Sequence, residues 1–310
     1  MKSLQVTSVF VSHVRHRSAL LSLFLLLSQP VVIQSAEEPA DRCLLTVDRI
    51  FGQMEFKTQE WGPAVWLQDG SGYTTLETSA SVEGGKDVVR YDPESGKRDL
   101  LVGASNLVLR GESQPLKIEG YAWSGDTAKL LIFTNTKRVW RKETRGDYWV
   151  YNLKRRELKK LGGNAKPSTL MFATFSPDGR HVAYVCQNSL FVQSLDNLRI
   201  TPLTSDGSDT ILNGTSDWVY EEEFGLRNGF RWSPDGQSIG YWQFDTSGVG
   251  RFALVNNTDS LYPNVTTYAY PKAGETNSAC RVGVIRARGG RTRWFRPNVD
   301  PRNHYIPEME

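Results

Sequence analysis

Cysteine and histidine are scarce in this chain, three and four among 310 residues, and their placement excludes whole classes of chemistry. Cys43, Cys186 and Cys280 are far apart and form no C-x-x-C, so zinc ribbons and iron–sulfur sites have no ligand set. Three cysteines cannot all pair within one chain, and they are read as structural or free residues. His13 and His16 fall in the first twenty residues, which leaves His181 and His304 as the imidazoles of the remaining chain. No metal and no cofactor is expected. Charge of one sign is also missing: 37 Lys and Arg stand against 34 Asp and Glu. Phosphate backbones require a concentrated basic face, so nucleic acid is not an expected partner. The basic stretches Lys154-Arg155-Arg156 and Arg286 to Arg296 read as solvated turns. Nor is there an apolar run of about 20 residues, the length a membrane-spanning helix needs. The run Ala19 to Leu27 is shorter, follows His13, Arg15, His16 and Arg17, and is broken by Pro30 before Ser35-Ala36. Residues 1–36 therefore read as a signal peptide or N-terminal anchor, and the protein as exported.

Past residue 40 the chain has almost no long helical period either. It is rich in aromatics, with nine Trp, 12 Tyr and 13 Phe, residue types that suit half-buried pleated surfaces. Short alternating runs are punctuated by turn residues, and one phrase recurs. Trp66-Leu67-Gln68-Asp69-Gly70, Trp123-Ser124-Gly125-Asp126, Phe175-Ser176-Pro177-Asp178-Gly179 and Trp232-Ser233-Pro234-Asp235-Gly236 each lead into a second apolar run. The leading aromatics are 57, 52 and 57 residues apart. Each phrase reads as a strand ending on an aromatic, a turn that Pro and Gly pre-shape, then another strand. A period near 50 with about four short strands per unit predicts an all-β fold of propeller blades. Tyr148 to Leu153 and Leu190 to Leu195 read as outer strands. About four to five blades are expected, the tail beyond Pro271 beginning the fifth, in an incomplete ring.

The most unusual stretch is Asp217-Trp218-Val219-Tyr220-Glu221-Glu222-Glu223-Phe224. Aromatic flanks argue for partial burial, and packed like-charged carboxylates resist ionisation unless a cation joins them. A peptide α-ammonium is such a cation, with three donors to share. Asp217 to Glu223 is similar to the acidic motif of the dipeptidyl-peptidase IV family of serine exopeptidases. Thr136 to Arg141, Tyr270-Pro271-Lys272-Ala273-Gly274 with Asn277, Trp232-Ser233-Pro234 and Tyr241 to Phe244 also resemble that family's N-terminal region. The resemblance implies an eight-bladed propeller in which a short helical insertion carries the acidic motif. It implies that Glu222 and Glu223 bind the substrate's N-terminal ammonium and that Arg141 helps hold a backbone carbonyl. Release of N-terminal dipeptides by a Ser, Asp, His triad in a C-terminal α/β-hydrolase domain is implied as well.

That triad is not expected here. Gly236-Gln237-Ser238-Ile239-Gly240 matches the G-x-S-x-G elbow literally. It follows a Ser-Pro-Asp-Gly turn and runs into a strand, whereas the elbow needs a strand-to-helix turn. Asp300 and His304 follow in hydrolase order, with too little chain between to build a hydrolase sheet. His181 reads as a strand residue and His304 as a loop residue. Residues 37–310 are thus expected to be the N-terminal part of such a propeller, without catalytic residues and inactive alone, as a truncated, frameshifted or split product. Its expected partners are peptide or protein N-termini, the hydrolase part, or a second copy in a homodimer. The competing reading is a stand-alone propeller that binds peptides or proteins without cleaving them.

Overall fold

Each recurring phrase ends a first strand on its aromatic and turns into a second strand. The computed structural model describes residues 43–58, 62–295 and 297–309, so the expected export segment lies outside the described residues. The chain divides into two compact units, Met1–Glu60 and Trp61–Glu310. In the first, Asp48–Gly52 forms an exposed π-helical turn beside an Arg49–Glu55 ion pair of 2.6 Å.

The second unit holds four antiparallel four-stranded blades. The first is β1 (Val65–Trp66), β2 (Tyr73–Thr78), β3 (Lys86–Tyr91) and β4 (Arg98–Val102). The second is β5 (Gly120–Trp123), β6 (Lys129–Val139), β7 (Lys142–Asn152) and β8 (Glu157–Lys160). The third is β9 (Leu170–Phe175), β10 (His181–Cys186), β11 (Ser189–Ser194) and β12 (Ile200–Pro202). Arg145 and Gly146 of β7 pair with Met171 and Leu170 of β9, which joins the second and third blades into one sheet. Next come β13 (Ile211–Asn213), the helix α1 (Trp218–Phe224), β14 (Phe230–Trp232), β15 (Ser238–Asp245), β16 (Arg251–Asn256), β17 (Asn264–Ala269), β18 (Ala279–Arg286) and β19 (Arg293–Trp294). The fourth blade runs β14-β15-β18-β19, and β13 pairs with the far end of β15.

In the second, third and fourth blades the turns between first and second strands share one hydrogen-bond plan, and the first blade keeps only the bond from the Ser71 amide to Asp69. Ser176 Oγ donates to Asp178 Oδ1 at 2.6 Å, and the same oxygen accepts from the Arg180 amide at 3.0 Å. Ser124, Asp126 and Ala128 repeat it, as do Ser233, Asp235 and Gln237. The turn closes on a residue of positive φ: Gly179 at 64°, Gly236 at 67°, but Thr127 at 57°. A β-branched residue held there is strained by about 1–3 kcal/mol, part of which glycine forfeits through its freer unfolded chain. Thr127→Gly is therefore expected to stabilise the protein by about 1 kcal/mol, read as a higher urea midpoint.

Strand alternation places the core between consecutive blades. Leu130 and Ile132 of β6 face Val88 and Val102 of the first blade, whereas Leu131 faces Val182 and Tyr184 of the third. In β10, Ala183 and Val185 then point the other way, towards Phe230, Ile239 and Tyr241 of the fourth. A fourth cluster gathers Tyr220, Leu226, Trp242, Phe244 and Cys280, with Ile306 and Met309 packed on it.

The chain beyond Pro271 forms β18 and β19, the outer strands of the fourth blade, and no fifth blade begins among the described residues. The reason is an insertion. β16 and β17 pair only with each other, forming a largely exposed hairpin between the second and third strands of the blade. That hairpin pushes the outer strands past the position where the repeat places them. His181 opens β10 and His304 lies in a loop, as expected.

Candidate functional site

Asp217 starts α1. Its backbone is extended and its Oδ1 accepts the Tyr220 amide at 2.9 Å, the standard way to satisfy an unpaired donor in a helix's first turn. Gly225, at φ 67°, ends the helix, and the Leu226 amide bonds back to the Tyr220 carbonyl at 2.9 Å. Between these caps the helix is anchored by Tyr220, which is 1% exposed. Its ring centroid is 4.5 Å from that of Phe244, and its hydroxyl accepts the Ile306 amide at 2.8 Å. Burial lifts the Tyr220 phenol well above its ordinary range. Cys280 of the same cluster is pushed up to about 12, mainly by burial.

Residues adjacent on a helix point about 100° apart, so the three glutamates diverge rather than stack. Glu221 turns inward, 6% exposed, and meets Arg227 Nε at 3.3 Å. Burial raises its pKa, Arg227 opposes that rise and Glu222 adds to it. Glu222 is part-buried and paired to Arg141, whose Nε is 2.9 Å from Oε2 and 3.1 Å from Oε1. Glu223 is exposed. Packed carboxylates need cations, and this chain supplies two of its own in Arg227 and Arg141.

Arg141 reaches Glu222 from the tip of the β6–β7 hairpin, whose two strands of 11 residues each extend well beyond the rest of their blade. Trp140 sits at that tip with φ 50°, and its ring lies 6.1 Å from that of Tyr268 in β17. Trp218 of α1 approaches the same Tyr268 at 6.3 Å and Tyr270 at 4.2 Å. Tyr268 therefore bridges the arm that carries Arg141 and the helix that carries Glu222. Beside this bridge is a cavity of about 300 Å³ lined by Trp140, Trp218, Tyr268, Arg251 and Asp209, among others.

Of the residues expected from sequence, Arg141 and Glu222 are brought into contact across 81 residues, and Glu223 lies beside Glu222 on α1. Three supporting groups are not among those expected. Asp217 carries a readable signal, a capping residue three places before a buried aromatic. Arg227 is six residues from Glu221, outside the usual helical pair spacing. Ser278 is 61 residues from Asp217, yet its Oγ donates to Asp217 Oδ2 at 2.5 Å, both residues being 3% exposed. No local pattern announces that pair.

The nucleophile-like match is a strand. Ser238 opens β15 opposite Arg286, with its amide bonded to Ser233 Oγ at 2.9 Å. His304 Nδ1 lies 2.9 Å from the backbone oxygen of Asp300. Among the described residues no cluster of His, Cys, Asp and Glu is arranged to hold a metal, and no helix is long and apolar enough to cross a membrane.

The family model of the dipeptidyl peptidase IV N-terminal region matches residues 124–310. Dipeptidyl aminopeptidase B of Saccharomyces cerevisiae is 32% identical over 217 residues, which is 68% of this chain and 25% of its own length. Dipeptidyl peptidase 4 of Sus scrofa is 30% identical over 224 residues, 71% of this chain and 28% of its own. The crystal structure of Porphyromonas gingivalis dipeptidyl peptidase 4 matches with a TM-score of 0.75 at 31% identity, covering 85% of this chain and 36% of that one. The chain thus spans well under two thirds of each relative's length. With four blades, an acidic helix set before the fourth and a family match over more than half its residues, this chain belongs to the dipeptidyl peptidase IV family, within its N-terminal propeller region.

Proposed function

We propose that this chain supplies the substrate anchor of an exported dipeptidyl peptidase. Glu222 and Glu223 accept the α-ammonium of a peptide, and Arg141 takes a backbone carbonyl of the same substrate. The observation that carries this reading is the Arg141–Glu222 pair, which sets a cation donor and an acidic helix side by side at the end of a long arm. Glu222 already accepts hydrogen bonds from a cation here. A peptide amine offers the same chemistry with three donors and can bridge Glu222 to the exposed Glu223.

Such an anchor contributes by position. Fixing the N-terminus at one point presents one bond at a set distance to a nucleophile, which turns a general peptidase into one that counts residues from the end. The nucleophile belongs to the hydrolase part of the whole protein. Residues 1–36 carry the export signal of this proposal, and peptide or protein N-termini are the partners.

The test compares binding of a free-amine dipeptide with that of its N-acetylated form, by calorimetry. Acetylation removes the charge and two donors while keeping the carbonyl. A clear preference for the free amine is expected; equal affinity for the two would remove the role given to the glutamates.

A further inference from the structure

We propose that the cleft between the third and fourth blades is a binding site for a tetrahedral oxyanion, a phosphate or sulfate group. The cleft is a cavity of about 310 Å³ walled by both blades. It is distinct from the acidic helix and does not depend on the proposed peptide anchor. The blades approach closely around it: a Cβ at Gly236 would sit 3.5 Å from the Pro177 ring, and one at Gly289 would sit 3.6 Å from Thr201 Cγ2.

Three exposed arginines line this space, one from the third blade and two from the fourth. Arg199 precedes β12 in the third blade, Arg286 ends β18, and Arg288 lies in the turn that follows. His181 and Gln237 add polar groups to the lining. Among the described residues none of the three arginines takes part in an ion pair. This differs from the arginines near the acidic helix. Arg141 and Arg227 are each paired to a glutamate, and Arg281 of the same β18 is bonded to Gln243 and stacked 3.8 Å from Trp294.

One carboxylate lines the cleft, that of Asp178. Its Oδ1 is already engaged by Ser176 Oγ and the Arg180 amide as part of the turn plan. Three exposed arginines therefore line one small space with that acid, and the neighbouring Asp235, whose carboxylate feels Arg286, is engaged in the same way by Ser233 Oγ and the Gln237 amide. A guanidinium fork matches the paired oxygens of a phosphate or sulfate. The volume suits such a group, free or as a monoester on a sugar-sized carrier. The basic stretch from Arg286 reads as a solvated turn in sequence; the fold sets its first two arginines opposite Arg199 of the neighbouring blade.

The experiment is calorimetric titration of the purified chain with inorganic phosphate, sulfate and a sugar phosphate, in a chloride buffer of fixed ionic strength. One equivalent of phosphate is expected to bind. The double variant Arg286→Gln/Arg288→Gln and, from the other blade, Arg199→Gln are each expected to weaken it by at least about 10-fold, the scale of one charge-assisted contact. Arg155→Gln, on a turn of the second blade, should leave binding unchanged. Circular dichroism confirms that each variant is folded. Tighter binding of the sugar phosphate than of phosphate marks a monoester as the natural occupant, and the reverse marks the free ion. Absence of saturable binding to the unaltered chain overturns the proposal, as does equal weakening in Arg155→Gln, which would reduce the effect to general charge.

Discussion

Changing Glu222 and Glu223 together to glutamine is expected to weaken binding of a free-amine dipeptide by about 100-fold, or about 2.7 kcal/mol. Affinity for the N-acetylated form should stay the same. Glutamine keeps the length and one acceptor oxygen of each side chain but removes both negative charges, so what is lost is the attraction for an ammonium. Stability should change little. The Arg141 side chain is 76% exposed and that of Glu222 16%, and an ion pair open to water on one side is worth at most about 1 kcal/mol. The double variant should therefore unfold within about 1 kcal/mol of the parent, which separates recognition from folding. Arg141→Ala gives the complementary result. Its carbonyl partner is present in both dipeptides, so both should weaken together. Calorimetry with the two ligands on the two variants reads all of this, and equal weakening of both ligands by the glutamine variant would refute the assignment.

The second large effect lies beneath the helix. Asp217→Ala is expected to destabilise the protein by about 2–4 kcal/mol, combining a lost N-cap with a buried Ser278 hydroxyl left without its acceptor. Asp217→Asn should be far milder, because its side-chain oxygen can still cap and its amide can donate to Ser278. The pH dependence distinguishes the two further. Burial raises the Asp217 pKa above the ordinary 3.8, against the hydrogen bonds from Ser278 and Tyr220 that lower it. A carboxyl with a raised pKa holds its proton in the folded state at pH values where the unfolded chain has released it. Its favourable contribution is thus complete below the ordinary aspartate range and is lost as pH rises through the raised value. Asp217→Asn cannot lose that proton and should flatten the decline. A residual slope of the same sign should persist from Glu221, whose pKa burial also raises. Urea unfolding from about pH 4 to pH 8 checks both variants, and an unchanged slope in Asp217→Asn would show that this carboxyl is not the source.

Much of this architecture is legible in the sequence because its signals are local. The aromatics Trp66, Trp123, Phe175 and Trp232 each end a first strand, since one turn chemistry recurs after them. The acidic motif forms a helix because Asp217 and Gly225 cap it within a few residues of the glutamates. Features that depend on distant chain were not legible. The β16–β17 hairpin reads like any pair of alternating strands, and only its pairing to itself reveals that it interrupts the fourth blade. Thr127 occupies a position where the turn favours glycine, and its positive φ is set by the turn rather than by its own preference. The contact between Arg141 and Glu222 spans two blades, and no sequence periodicity reports it; its legibility came from resemblance. The burial of Glu221 with Arg227 was hidden by the apparent equivalence of three consecutive glutamates.

The support of Tyr220 by Ile306 has a consequence for the timing of synthesis. The partners are 86 residues apart, and Met309 packs on the same cluster. At about 5–20 residues per second, a ribosome delivers Ile306 roughly 4–17 seconds after Tyr220. The first three blades can pack on one another during that interval, because each draws its core from its immediate neighbours. The acidic helix cannot complete its underside until the later segment emerges. Its aromatic face stays incompletely covered in the nascent chain until then, which gives a chaperone several seconds to bind this helix.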